Sequence, residues 1–174
     1  MIRAVFFDRD GTLINEPEDM DVNTWEKFKV LPGLSELVRV QNLGYKIFVI
    51  SNQEGIGEGR LTQEFYNTTN DKLLEILKGY GVVVEKIYTC AHARVDNCSC
   101  RKPKRGLIDQ TLIEYQIDLP NSWIVGDRPS DVVLGQAVGM RTIFVRSLWH
   151  TLPKNIKPNF VVDDLNGIIK YIIG

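Results

Sequence analysis

Val5-Phe6-Phe7-Asp8-Arg9-Asp10-Gly11-Thr12 is the stretch on which the reading of the fold turns. A short apolar run stops at two carboxylates two residues apart, and a glycine follows that permits a sharp turn. Runs of this kind, bounded by turn residues, read as buried strands. Outward from this first strand, Ile2–Phe7, the same pattern recurs at Tyr45–Ile50, Lys86–Thr89, Ser122–Val125, Thr142–Val145 and Phe160–Val162. Helical patterns fall between them, at Leu34–Gln41, Thr62–Lys78, Arg105–Tyr115 and Pro129–Val138, with Leu165–Ile173 closing the chain. In the second helix Phe65, Thr69, Leu73 and Leu77 share one face by i, i+4 spacing; Phe65, Tyr66 and the leucines are assigned to the core, and Trp123 to packing on the sheet. Strands alternating with helices predict an α/β fold, an open, mostly parallel Rossmann-like sheet with helices on both faces. The length, 174 residues, suits one domain over 1–174.

Composition narrows the function classes. Lys plus Arg is 21 and Asp plus Glu 22, a formal charge of −1, unlike chains built to coat nucleic acid or anionic membrane. The N-terminal apolar run is too short for a secretory signal and no segment could span a bilayer, so a cytoplasmic location is expected.

Three strand ends carry chemistry. Asp8, Ser51 and Asp127 each follow a predicted strand, and open parallel sheets bind ligands beyond the carboxyl ends of their strands. Asp8 could attack an electrophile while Asp10 handles a proton. Ser51-Asn52 offers a hydroxyl and an amide to phosphate oxygens. Asp127 could hold a hard divalent cation together with Asp8. Asp131 would support that site or favour the N-terminus of its helix. Arg101-Lys102 supplies positive charge for a phosphoryl group.

Cys90, His92, Cys98 and Cys100 gather all three cysteines and one of the two histidines into a single segment. Three thiolates and an imidazole make a full tetrahedral set for structural Zn²⁺, leaving no open position for catalysis. The loop 90–103 would then be fixed by zinc, and Cys100 would deliver Arg101 and Lys102 to the phosphate. The second histidine, His150, reads as an exposed loop residue.

Taken in order, Asp8-x-Asp10-Gly11-Thr12, Ser51-Asn52, Lys102 and Gly126-Asp127-x-x-x-Asp131 resemble the four motifs of haloacid dehalogenase (HAD) superfamily phosphatases, over about residues 3–146. The cysteine segment resembles the branch holding histidinol-phosphate phosphatases and D-glycero-D-manno-heptose 1,7-bisphosphate phosphatases. That resemblance implies an aspartyl-phosphate formed on Asp8 and acid–base work by Asp10. It also implies Mg²⁺ held by Asp8, the Asp10 carbonyl and Asp127. Ser51 and Lys102 would grip the phosphoryl group, with Thr12, Asn52 and Arg101 as further phosphate or substrate contacts.

The short interval Asn15–Leu31 leaves no room for a large cap, which suits a small phosphorylated metabolite. Glu16-Pro17 and the five residues between His92 and Cys98 look like the histidinol-phosphate branch, with Glu16 facing a cationic amine or imidazole. Ser51–Gly57 and Thr62–Leu77 look equally like the heptose branch. Histidinol phosphate is placed first and the heptose bisphosphate second. A zinc-stabilised nucleic-acid module built on Arg94, Arg101, Lys102, Lys104 and Arg105 stands as a distant third. Oligomeric state is not legible.

Overall fold

The computed structural model describes residues 1–172. Six strands form one all-parallel sheet in the order β3-β2-β1-β4-β5-β6. They are β1 (Ala4–Phe7), β2 (Lys46–Asn52), β3 (Val84–Cys90), β4 (Trp123–Gly126), β5 (Arg141–Val145) and β6 (Phe160–Val162). The helices are α1 (Leu37–Asn42), α2 (Glu54–Gly57), α3 (Gln63–Gly79), α4 (Gly106–Glu114), α5 (Pro129–Ala137) and α6 (Ile169–Ile172). The α/β doubly wound expectation therefore holds, and the chain segment after β1 adds no cap among the described residues.

Alternation along the central strands builds two cores. Val5 and Phe7 face the side covered by α1, α3 and α6, through Leu37, Leu73, Leu77 and Ile169. Ala4 and Phe6 face the side covered by α4 and α5, through Leu107, Ile108 and Leu134. A strand buried on both faces must be apolar throughout, which is why Ala4–Phe7 carries no polar residue. Trp123 is buried in the first core, as expected, whereas Phe65 is only half-buried and rests edge-on against Trp25.

The structure moves several boundaries. Ile2 lies outside β1 and forms an isolated bridge with Ile117, because the β4 neighbour begins only at Trp123. Leu34–Gln41 opens as a 3₁₀ turn, Leu34–Glu36, before becoming α1. The expected closing helix divides into a 3₁₀ turn, Leu165–Gly167, and α6; its last expected residue, Ile173, lies outside the described residues. Most relevant to the site, β2 and β3 are longer than expected. Ser51 and Asn52 do not follow β2 but end it, paired with Thr89 and Cys90 of β3. Backbone pairing with β3 holds the polar pair extended where side-chain pattern alone would begin a turn.

Sheet order reverses between β1 and β4: from β1 the chain winds outward through β2 and β3, and from β4 through β5 and β6. The connections leaving those two strands diverge and open a crevice. Close seating of α5 fixes one wall of it, since a Cβ at Gly135 would stand 2.4 Å from Ile124 Cγ2 and 2.5 Å from Thr142 Cγ2. Gly135→Ala should therefore lift α5 and cost about 1–3 kcal/mol of stability. Urea denaturation reads this as a lowered midpoint, and an unchanged midpoint would contradict the packing account.

Candidate active site

At the switch point Asp8 leaves β1 and Asp127 leaves β4, and the Asp8 N–H donates to Val125 O at 2.9 Å. Asp8, Asp127 and Asp131 are all buried and offer carboxylate oxygens within 4.8 Å of one another. Lys102 reaches this trio from the loop between β3 and α4. Its Nζ donates to Asp8 Oδ1 at 2.8 Å, Asp131 Oδ1 at 2.7 Å and Ile50 O at 3.0 Å. Burial alone would lower the lysine pKa, but Asp131 and Asp8 raise it above the ordinary value, so Lys102 remains an ammonium. Asn52 grips the same residue by its backbone: Oδ1 accepts from Lys102 N at 2.9 Å and Nδ2 donates to Lys102 O at 3.2 Å. Asn52 therefore positions Lys102, and both its amide atoms are occupied in doing so.

Asp131 closes the N-terminus of its helix, the second of the two roles expected of it, and also binds Lys102. Oδ2 accepts from Arg128 N at 3.1 Å, closing the N-terminus of α5, while Oδ1 takes Lys102.

The donors fit a divalent cation. Asp127 Oδ2 is buried without a hydrogen-bond partner among the described residues. Gly11, at φ +80°, keeps the space beside it clear, because a Cβ there would lie 2.2 Å from Asp127 Oδ2. Burial first, then Asp8 and Asp131, pushes the Asp127 carboxyl up to about 8, the mark of acids gathered beyond what Lys102 can neutralise. Mg²⁺ takes a few carboxylates with water and phosphate oxygens, which such a cluster supplies.

Asp10 is held on both oxygens. Oδ1 takes Arg9 Nη1 at 2.9 Å; Oδ2 takes Gln53 Nε2 and lies 3.5 Å from Ser51 Oγ. Gln53 also donates to Ser51 Oγ at 2.8 Å. Arg9 and Gln53 are both buried, and sequence reasoning passed over both because neither type at those positions signals chemistry alone. The Thr12 hydroxyl lies 3.4 Å from Asp127 Oδ1, so it sits against the acidic trio. Arg101 pairs with Glu54, and its Nη1 is buried and unpartnered among the described residues.

Glu16 is buried and meets an imidazole, that of His150, whose Nε2 lies 2.6 Å from Oε2; its other oxygen takes Arg128. His150 is thus half-buried at the mouth of the site, not the exposed loop residue that the sequence suggested. The 146–150 connection folds back over residue 16, where Trp149 Nε1 donates to Glu16 O at 2.8 Å. Burial and the nearby Arg128 push the imidazole below its ordinary value.

The cysteine segment closes on itself as expected. Cys90 Sγ and Cys98 Sγ are 3.5 Å apart, as are Cys98 Sγ and Cys100 Sγ, with His92 Nδ1 3.2 Å from Cys100 Sγ and 3.8 Å from Cys90 Sγ. Zinc with bonds of about 2.3 Å to sulfur spans tetrahedral edges of about 3.8 Å, so the four donors fit it. The basic residues around the loop are satisfied within the chain. Arg94 pairs with Glu54, Lys104 donates to Asn97 and Cys98 carbonyls, and Arg105 holds Asp109 at 2.7 Å.

A family model described as HAD-hydrolase-like matches residues 99–168. The chain belongs to the HAD-like phosphatases, in the branch that unites histidinol-phosphatase domains with heptose bisphosphate phosphatases. A probable D-glycero-D-manno-heptose-1,7-bisphosphate 7-phosphatase of Thermoplasma volcanium is 38% identical over 73% of this chain and 86% of its own. The histidine biosynthesis bifunctional protein HisB of Campylobacter jejuni is 34% identical over 91% of this chain and 46% of its own length, so the chain spans about half of that relative. Among solved structures, the D,D-heptose 1,7-bisphosphate phosphatase of B. bronchiseptica, complexed with magnesium and phosphate, superposes with a TM-score of 0.86 at 25% identity. The match covers 99% of this chain and 98% of the other. No helix among the described residues is long and apolar enough to cross a membrane.

Two outcomes follow from the charges and the loop. Asp127 near 8 and Asp131 near 6 bind protons in the folded protein that an ordinary aspartate at 3.8 has lost. Their protonation favours folding most below pH 4 and loses its effect as pH rises through those values. In magnesium-free buffer these groups lower Tm as pH rises from 6 to 8, and added Mg²⁺ should raise Tm more at pH 8 than at pH 6. Equal increments in thermal melts would contradict the assignment. Chelating zinc at neutral pH should expose loop 90–103 to proteolysis and lower phosphatase turnover at least about tenfold. A loop that stays protected, with turnover intact, would separate the thiols from the site.

Proposed function

We propose that this chain is a magnesium-dependent phosphomonoester hydrolase working through an aspartyl-phosphate on Asp8, with histidinol phosphate as its substrate. The observation that carries the reading is the buried Lys102 ammonium between Asp8 and Asp131, beside Asp127, at the switch point of the sheet. An Asp8 oxygen attacks phosphorus, splitting one difficult displacement into two. Asp10 gives a proton to the leaving alcohol and then takes one from water. Ser51 and Lys102 hold the phosphoryl oxygens, and Thr12 and Asn52 keep Asp127 and Lys102 in place. Asp8, the Asp10 carbonyl and Asp127 would hold the magnesium ion, which when bound neutralises charge and aligns the displacement. Cys90, His92, Cys98 and Cys100 would hold structural zinc. This reading places the enzyme in the cytosol, acting on a small metabolite.

The substrate reading rests on the match to HisB over nine-tenths of this chain. A second reading, the heptose 1,7-bisphosphate, is favoured by Arg101 and Arg128 in a cleft beside the site, which suit a second phosphate.

Phosphate release with Mg²⁺ from both esters, using Asp8→Asn as the blank, decides between them. The expected result is at least about a hundredfold preference in kcat/KM for histidinol phosphate, roughly 2.7 kcal/mol of discrimination. The reverse preference establishes the heptose reading, and release that persists in Asp8→Asn overturns the mechanism.

A further inference from the structure

Arg9 stands between the two acids of the first motif, and its side chain is fully buried at 0% exposure. Desolvating a guanidinium is costly unless its partners repay it. Here the partners are few and directional. Nη1 donates to Asp10 Oδ1 at 2.9 Å, Nη2 donates to Thr69 Oγ1 at 2.6 Å, and the carbon of the guanidinium lies 4.8 Å from the centroid of the Tyr66 ring. Nε has no partner among the described residues. The far end of this contact is rigid: Thr69 Oγ1 donates to Tyr66 O at 2.9 Å within α3, and the Tyr66 hydroxyl meets Thr89 Oγ1 of β3 at 2.7 Å.

An unrestrained aspartate can turn either oxygen toward a reacting group. Arg9 takes one of them and leaves Oδ2 on the side of Ser51 and Gln53. Because a guanidinium does not lose its proton in proteins, the grip persists whether Asp10 is carboxylic acid or carboxylate. We infer that Arg9 is a positioning residue that locks Asp10 to α3 and makes Oδ2 the atom that carries the proton. The inference rests on the phosphatase reading above. In the first step the Oδ2–H bond breaks and its proton passes to the ester oxygen as the P–O bond gives that oxygen its electron pair. The alcohol leaves neutral, and Asp10 is a carboxylate. In the second step water bonds to phosphorus, its proton passes to Oδ2, and the Asp8 carboxylate departs.

The test compares kcat/KM for an alkyl phosphate, whose alkoxide needs a proton, with that for p-nitrophenyl phosphate, whose phenolate does not. Arg9→Met should lower the alkyl value about 30- to 100-fold and the aryl value less than about threefold. Arg9→Lys retains charge but cannot span both partners, so it should recover only part of the loss. Thr69→Val keeps the cation and removes its anchor; it should lower the alkyl-to-aryl ratio about three- to tenfold. In an Asp10→Asn background, Arg9→Met should cost less than about twofold more, because the two act as one unit. Equal losses on both esters, or a full multiplicative loss in that background, would overturn the proposal. If Arg9→Met fails to fold by circular dichroism, Thr69→Val decides the question, and an unchanged ratio overturns the proposal. Undiminished alkyl turnover in Asp10→Asn alone would refute the assignment of Asp10 itself, a failure visible before Arg9 is touched.

Discussion

A single buried ammonium sets the terms for the site. Lys102 Nζ is the meeting point of three elements that the chain connects only through long excursions: the ends of β1 and β2 and the start of α5. Carboxylates this close repel one another in a medium that screens poorly. Lys102 relieves part of that repulsion, and the negative charge that remains suits a divalent cation. Removing one partner would leave the others buried and uncompensated, so the constellation holds as a whole.

What delivers the lysine is a chain of short-range constraints. Extension of the β2–β3 ladder brings Asn52 beside Cys90, and the Asn52 amide then takes both backbone atoms of Lys102. The cysteine loop leaves from that same rung. Glu54, the first residue of α2, draws in Arg94 and Arg101 of the same loop. The cysteine cluster thus sits at the ends of β2 and β3, and its loop reaches the acidic trio through Lys102.

Much of this was legible in the sequence, and the gaps have physical reasons. Apolar runs ending in Asp8 and Asp127 marked the parallel strands because a strand covered on both faces leaves polar residues only at its end. The donor spacing of the cysteine segment was equally open to reading. The end of β2 was expected two residues early, at Ile50, because strand length is decided by the neighbour, and β3 runs on to Cys90. Arg9 gave no signal: a cation beside two acids reads as solvated until α3 is seen to supply Thr69 and Tyr66. His150 lay beyond reach for a related reason, since its partner Glu16 is 134 residues away and only the folded 146–150 connection brings them together.

The position of β3 has a consequence for how the molecule comes apart. It is an outer strand, with β2 on one side and, among the described residues, no strand on the other, and Cys90 is its last residue. Were the cysteine cluster to bind zinc, losing that ion would fray the molecule from its margin, while β1, β2, β4 and β5 stay paired on both sides. The product would be a folded but silent protein. Its outermost strand would have lost the pin at its tip, leaving a row of unpaired backbone donors and acceptors open to a neighbouring chain.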